Sequence, residues 1–177
     1  MKPILINQSI LILIDLQKKL MPAIQNSEPL IKQCLRLAEI ARLLSIPVIG
    51  TEQNPKGLGE NIPEIKQQCN QTIVKQFFDA CQDGLIEALP KNRHQLFIAG
   101  CESHVCMMQT ALGLIDSGYQ VHIIQDAVGS RFSIDKEVAL DRLQQAGAKL
   151  LTTEMLAFEW IKTSQHPQFV DILKAIK

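Results

Sequence analysis

The sequence predicts an α/β fold with three αβα layers: a six-stranded, mostly parallel, doubly wound sheet of strand order 3-2-1-4-5-6. Three observations lead there. Short apolar runs that suit burial on both faces, such as Ser9 to Ile14, alternate with helical periodicity along all 177 residues. The segments between most strands are long enough to cross back over a sheet, so successive strands run parallel. Linkers, low-complexity tracts and internal repeats are missing, and a chain of this length suits one hydrophobic core, a single domain over residues 1–177.

Ser9 to Ile14 is a continuous run of β-branched residues and leucine, the pattern of a central strand. Leu30 to Leu44 spaces its apolar residues for a helix, with Pro29 suited to its first turn. Pro47 to Thr51 is the second strand, and Glu52 to Gly59 has the turn chemistry of a long loop. Thr72 to Lys75 is the third strand, Asp83 to Leu89 a short helix, and Gln95 to Ala99 the fourth strand. Ser103 to Ser117 is helical and ends at Gly118, a suitable residue for the left-handed position after a helix. Gln120 to Gln125 is strand five, Ser133 to Ala146 a helix closed by Gly147, and Ala148 to Leu151 strand six. From Glu154 the tail is helical, with a break at Pro167.

Composition narrows the function classes. Apolar residues make up 46% and charged residues 20% of the chain, ordinary values for a soluble globular protein. The 18 basic residues balance the 18 acidic ones and the lysines are scattered, which argues against a nucleic-acid partner. The first apolar run is cut short by Asp15, too soon for a membrane span or a signal segment, so a cytoplasmic protein with no membrane partner is expected. Five cysteines, an odd number without disulfide or zinc spacing, fit small core residues in a reducing compartment. Cys101-x-x-His104-x-Cys106 has the spacing of a partial metal cluster, but no second pair of ligands accompanies it.

Three residues of different chemistry fall at the carboxyl ends of predicted strands: Asp15, Lys75 and, just after strand four, Cys106. That edge of an open α/β sheet is where ligands bind, and the strand order opens its crevice between strands one and four. Each residue has a plainer reading: Asp15 as a helix cap, Lys75 as a snorkelling surface lysine, Cys106 as a structural thiol. Together at one edge they read as an activated nucleophile, with Cys106 in a first helical turn whose dipole lowers a thiol's pKa.

The run Asp15-Leu16-Gln17, Lys75 followed by Phe78, the segment Gly100-Cys101-Glu102-Ser103-His104-Val105-Cys106, and Asp126-Ala127-Val128-Gly129-Ser130-Arg131 together resemble the isochorismatase-like hydrolases. Thr51-Glu52-Gln53, Pro55, Gly57-Leu58-Gly59 and His166-Pro167-Gln168-Phe169 are similar to the small isochorismatase-domain proteins in particular. The resemblance implies Asp15, Lys75 and Cys106 as the catalytic residues, with Asp15 as base and then acid, and Lys75 holding its carboxylate. It also implies a cis peptide between Cys101 and Glu102, with the backbone N–H groups of Glu102 and Cys106 serving the oxyanion. Gln17, Gln53, Phe78 and Ser103 are assigned to the substrate pocket. His104 is expected at the pocket rim or core edge, and Asp126, Ser130 and Arg131, on the same edge after strand five, either contact ligand or cap the following loop and helix, with capping favoured.

Nicotinamide-hydrolysing relatives carry an Asp-x-His…His metal motif after the second strand. This chain has Glu52-Gln53-Asn54-Pro55 there, so neither a metal nor a cofactor is expected. The resulting expectation is a metal-independent cysteine hydrolase of a small amide or acyl compound, working as a homo-oligomer. Two alternatives remain open on sequence alone: a vinyl-ether hydrolase with Asp15 as the acid, and a non-enzymatic binding protein that retains the pocket.

Overall fold

The structure, a computed structural model, describes residues 3–176. Strands β1 (Ser9–Ile14), β2 (Val48–Gln53), β3 (Gln71–Lys75), β4 (Gln95–Cys101), β5 (Gln120–Gly129) and β6 (Lys149–Leu151) form one sheet. Its order is β3-β2-β1-β4-β5-β6, and every neighbouring pair is parallel. The helices, in chain order, are α1 (Ser27–Leu43), α2 (Pro55–Leu58), α3 (Pro63–Lys66), α4 (Leu85–Ala88), α5 (Cys106–Asp116), α6 (Ser133–Gln145), α7 (Thr153–Ile161) and α8 (Phe169–Ile176). Among the described residues, no helix is long and apolar enough to cross a membrane.

The all-apolar β1 is explained by its two faces. Leu11 and Leu13 join a cluster with Leu37 of α1, Leu156 and Trp160 of α7, and Ile172 of α8. Ile10, Ile12 and Ile14 join another with Leu85 of α4, Met107 and Leu114 of α5, and Leu143 of α6. Alternate side chains of a strand point to opposite faces, so only a strand covered twice reads as uninterrupted hydrophobicity. Trp160 ties α7 to the sheet: its ring packs edge-on against Phe97 at 5.2 Å, and its Nε1–H donates to Ser9 Oγ at 2.9 Å.

Four departures from the predicted elements have local causes. Strand β2 continues through Glu52 and Gln53, predicted as loop, because it stays in register with β3 up to Gln53 opposite Lys75. Helix α5 starts at Cys106, three residues beyond the predicted Ser103. Ser103 N–H is held instead by the Gly129 carbonyl at 2.8 Å, and Val105 N–H turns back to the Glu102 carbonyl at 3.0 Å. The predicted helix Asp83–Leu89 divides at Gly84, whose φ of 92° separates a 3₁₀ turn, Ala80–Asp83, from α4. The tail likewise breaks earlier than Pro167, at Lys162 with φ 59°.

One glycine positions the functional edge. Gly100 has φ 117°, and a Cβ there would overlap the carbonyl oxygen of Ile14. Only glycine lets β4 approach β1 this closely, one residue before Asp15 and next to the segment that carries Cys106.

Candidate active site

Asp15 is the first residue beyond β1 and takes a left-handed conformation, φ 49°. Its carboxylate is fully buried and held from two sides. Thr51, next to it on β2, donates its hydroxyl to Asp15 Oδ1 at 2.6 Å and lies 3.2 Å from the Asp15 N–H. Lys75, the last residue of β3, places Nζ 2.7 Å from Asp15 Oδ2, with both side chains at 0% exposure. The parallel register carries Lys75 here, since it sits opposite Gln53 at the carboxyl end of the sheet. A snorkelling surface lysine is therefore ruled out.

A buried ammonium needs its three donors satisfied. Besides Asp15, Lys75 Nζ donates to Gln53 Oε1 at 2.7 Å and to the Phe78 carbonyl at 3.3 Å, with the Phe77 carbonyl at 3.5 Å. The Gln53 amide is oriented in turn by its Nε2, which donates to the Gln76 carbonyl at 2.8 Å. Asp15 Oδ2 lies at ion-pair distance from the ammonium and accepts no further hydrogen bond among the described residues.

Cys106 is the first residue of α5, and its Sγ lies 3.9 Å from Gln53 Oε1. Burial and the nearby Asp15 carboxylate push its thiol up to about 12, with Lys75 acting in the opposite direction. The sequence-based expectation of an acidified thiol is thus reversed: burial and Asp15 together outweigh Lys75, and the resting group is S–H. The Cys101–Glu102 peptide is cis. Val105 and Met107 N–H both donate to the Glu102 carbonyl, at 3.0 and 3.2 Å, and the Cys106 N–H between them makes no backbone hydrogen bond.

Asp15, Gln53, Phe78 and Cys106 line one cavity of about 360 Å³, within the ordinary range for small-ligand sites. Leu20, Leu58 and Val105 supply apolar wall, and Lys19, Glu102 and Arg131 add charge. Lys75 stands behind Asp15 rather than on the wall.

Two assigned pocket residues lie elsewhere. Gln17 is fully buried and ties down the loop after β2: its Oε1 accepts the Gln53 N–H at 2.9 Å, and its Nε2 donates to the Gln53 carbonyl at 3.0 Å and to the Gly59 carbonyl. Ser103 is also fully buried and does not line the cavity. His104 sits at the edge, with Nδ1 3.0 Å from Ser130 Oγ and Nε2 3.7 Å from Asp135. Asp126 caps α7 by accepting from the N–H and hydroxyl of Thr153, at 2.9 and 3.1 Å.

Sequence reasoning missed Thr51 as the second holder of Asp15. It also left the Glu102 side chain without a role and favoured a cap over a ligand contact for Arg131. In fact Arg131 lies on the cavity wall and pairs through Nε with Glu102 Oε2 at 3.0 Å. The signal for Thr51 was its place on the strand beside β1, but reading it required the β1–β2 register. Among the described residues, no three or more His, Cys, Asp or Glu side chains are grouped to hold a metal ion, and all five cysteines are free thiols.

A six-stranded parallel sheet of this order, with a thiol and a buried acid at its carboxyl edge, defines an isochorismatase-like α/β protein. Residues 9–155 match the isochorismatase domain family, and the chain belongs to that family. It is 41% identical to isochorismatase domain-containing protein 2 of Bos taurus over 177 residues, 98% of this chain and 85% of the relative. Isochorismatase domain-containing protein 2A of Mus musculus is 39% identical with the same coverage. Among solved structures, one described as the MAR1 ribonuclease of Caenorhabditis elegans superposes with a TM-score of 0.93 at 37% identity, covering 99% of this chain and 92% of that one. The YcaC gene product of Escherichia coli, described as an octameric hydrolase of unknown specificity, superposes with a TM-score of 0.88 at 26% identity, covering 99% and 98%.

Proposed function

We propose that this isochorismatase-family protein is a cysteine hydrolase that cleaves a small amide or related acyl compound through a thioester on Cys106, without a metal or cofactor. The observation that carries the proposal is the shared cavity of Cys106 and Asp15, with the acid held by Lys75 at 2.7 Å and Thr51 at 2.6 Å. The residues fit a metal-free reaction. Where a metal motif would follow β2, Glu52 instead accepts the Asn61 N–H at 2.9 Å and Gln53 serves Lys75.

Because the thiol rests protonated, attack is coupled to proton transfer. Cys106 Sγ forms a bond to the acyl carbon as its proton passes to the Asp15 carboxylate. Charge developing on the acyl oxygen is met by the N–H groups of Glu102 and Cys106. The carbon–nitrogen bond breaks as Asp15 returns the proton to the departing amine, leaving a thioester. Water then attacks, giving a proton to Asp15; the carbon–sulfur bond breaks, and that proton goes back to Sγ. The sum is amide plus water to acid plus amine. Lys75 keeps the Asp15 carboxylate in place throughout.

A cavity of about 360 Å³ and a net charge of zero favour a small molecule over a nucleic-acid chain as substrate. A homo-oligomer belongs to the same reading, supported by the octameric YcaC relative and by Phe132, Ile134 and Val138, which are exposed about the start of α6.

The test is a panel of small amides and esters, followed by mass analysis of the Cys106 peptide. An acyl adduct on Cys106, lost together with turnover in Cys106→Ala, is expected. If no amide, ester or electrophilic probe labels Cys106 ahead of the other four cysteines, the nucleophile assignment fails. Full activity of Cys106→Ala would move the reaction to protonation of a vinyl ether by Asp15.

A further inference from the structure

Resting on the acyl-hydrolase reading, we infer that the substrate carries a carboxylate, held by Arg131, in addition to the acyl group presented to Cys106. The charges of the cavity wall lead to this substrate class. Four ionisable side chains besides the thiol line it: Asp15, Lys19, Glu102 and Arg131. Asp15 is neutralised from behind by Lys75 at 2.7 Å, and Glu102 by Arg131 at 3.0 Å. Lys19 has no carboxylate within ion-pair distance among the described residues; its Nζ donates to the Gly57 carbonyl at 3.1 Å, which leaves its charge intact. The wall therefore carries one positive charge in excess, which a monoanionic ligand would balance.

Arg131 is built to receive that anion rather than merely to lie near it. The Glu102 carboxylate, nearly buried at 10% side-chain exposure, accepts from both Nε and the backbone N–H of Arg131, at 3.0 and 3.2 Å. This pins the guanidinium by its inner nitrogen. Its two terminal nitrogens make no hydrogen bond among the described residues, and its side chain is 52% exposed. A guanidinium fixed at Nε offers its outer fork to a planar, two-oxygen acceptor, the geometry that favours carboxylate. Leu20, Ala23, Leu58 and Val105 make the remaining wall apolar apart from Lys19, whose charge the same anion balances. One anionic end and one neutral acyl end fit it, as in the half-amide of a dicarboxylic acid.

The test reads binding without requiring turnover. Cys106 is alkylated with iodoacetamide in the presence of succinamate or glutaramate, and separately of the neutral succinamide or glutaramide. Protection is scored by mass spectrometry of the Cys106 peptide, as a ratio to the unprotected rate within each protein. In the unaltered chain the half-amides should protect at concentrations about tenfold lower than the diamides, an advantage that shrinks in high salt. Arg131→Met should bring the two classes within about twofold. Arg131→Lys, which keeps charge but loses the fork, should recover only part of the difference. If Arg131→Met folds poorly because Glu102 is left unpaired, Glu102→Gln/Arg131→Met serves in its place. Equal protection by both classes, no protection by either, or a preference that survives in Arg131→Met would overturn the inference. The two proposals fail separately. A half-amide that protects but is never cleaved leaves the carboxylate site standing without the amide hydrolase. A diamide cleaved through Cys106 faster than its half-amide does the reverse.

Discussion

Replacing Lys75 by Met and Asp15 by Asn together should destabilise the fold by clearly less than the sum of the two separate replacements. The two charges lie 2.7 Å apart with neither side chain exposed. At an effective dielectric of about 20 their attraction is on the order of 6 kcal/mol, most of it offset by the desolvation of both ions. Removing one partner forfeits the attraction and leaves the other's desolvation uncompensated, at about 3–5 kcal/mol. Lys75→Met should cost that much, and Asp15→Asn, which can still accept from Thr51, a similar amount. The double variant removes both ions. It retains only the smaller loss at Gln53 and the Phe78 carbonyl, which no longer receive a donor. Its cost should therefore fall short of the sum of the single variants by at least about 2 kcal/mol. Urea unfolding of the four proteins, followed by far-ultraviolet circular dichroism, measures the cycle. Additive losses, within about 0.5 kcal/mol, would show that Asp15 and Lys75 are not energetically coupled, and the account of a lysine-held acid would fall.

Thr51→Val removes the hydroxyl that holds Asp15 Oδ1; about 1–3 kcal/mol of stability should be lost, and turnover should fall more than substrate affinity, as kcat and KM would show. With its thiol raised to about 12, Cys106 should be alkylated by iodoacetamide at a rate climbing about tenfold per pH unit through the neutral and mildly alkaline range; a plateau near pH 7 would refute the protonated resting state. The sign for stability follows: the folded pKa lies above the unfolded value, so this group's contribution is whole below about 8.5 and is lost as pH rises toward 12, visible in alkaline unfolding. Gly100→Ala should lower stability by on the order of 3 kcal/mol, since a Cβ meets the Ile14 carbonyl and φ is 117°; a thermal midpoint equal to that of the unaltered chain would contradict the close approach of β4 and β1.

Much of the site was legible because parallel topology converts position in the chain into position in space. A residue that ends a buried strand must emerge at the carboxyl edge, and this held for Asp15, Lys75 and the segment before Cys106. Residue type and sequence neighbours said less about the side chains. Gln17 is polar and two residues from Asp15, but its amide is consumed by the backbone of the loop after β2. Arg131 follows β5 as a cap would, yet its outer nitrogens remain free beside the cavity because Glu102 takes only Nε.

Periodicity alone determined the three-layer, mostly parallel fold and the edge where chemistry gathers, because apolar patterning reports which faces are covered and crossovers are right-handed. Only the tertiary structure decided the protonation and pairing of the site. Burial and the Asp15 carboxylate raise the Cys106 thiol, and cross-strand register brings Thr51 and Lys75 to the same carboxylate. Those outcomes depend on desolvation and on ångström-scale distances between strands remote in sequence, and no local pattern in the chain encodes them.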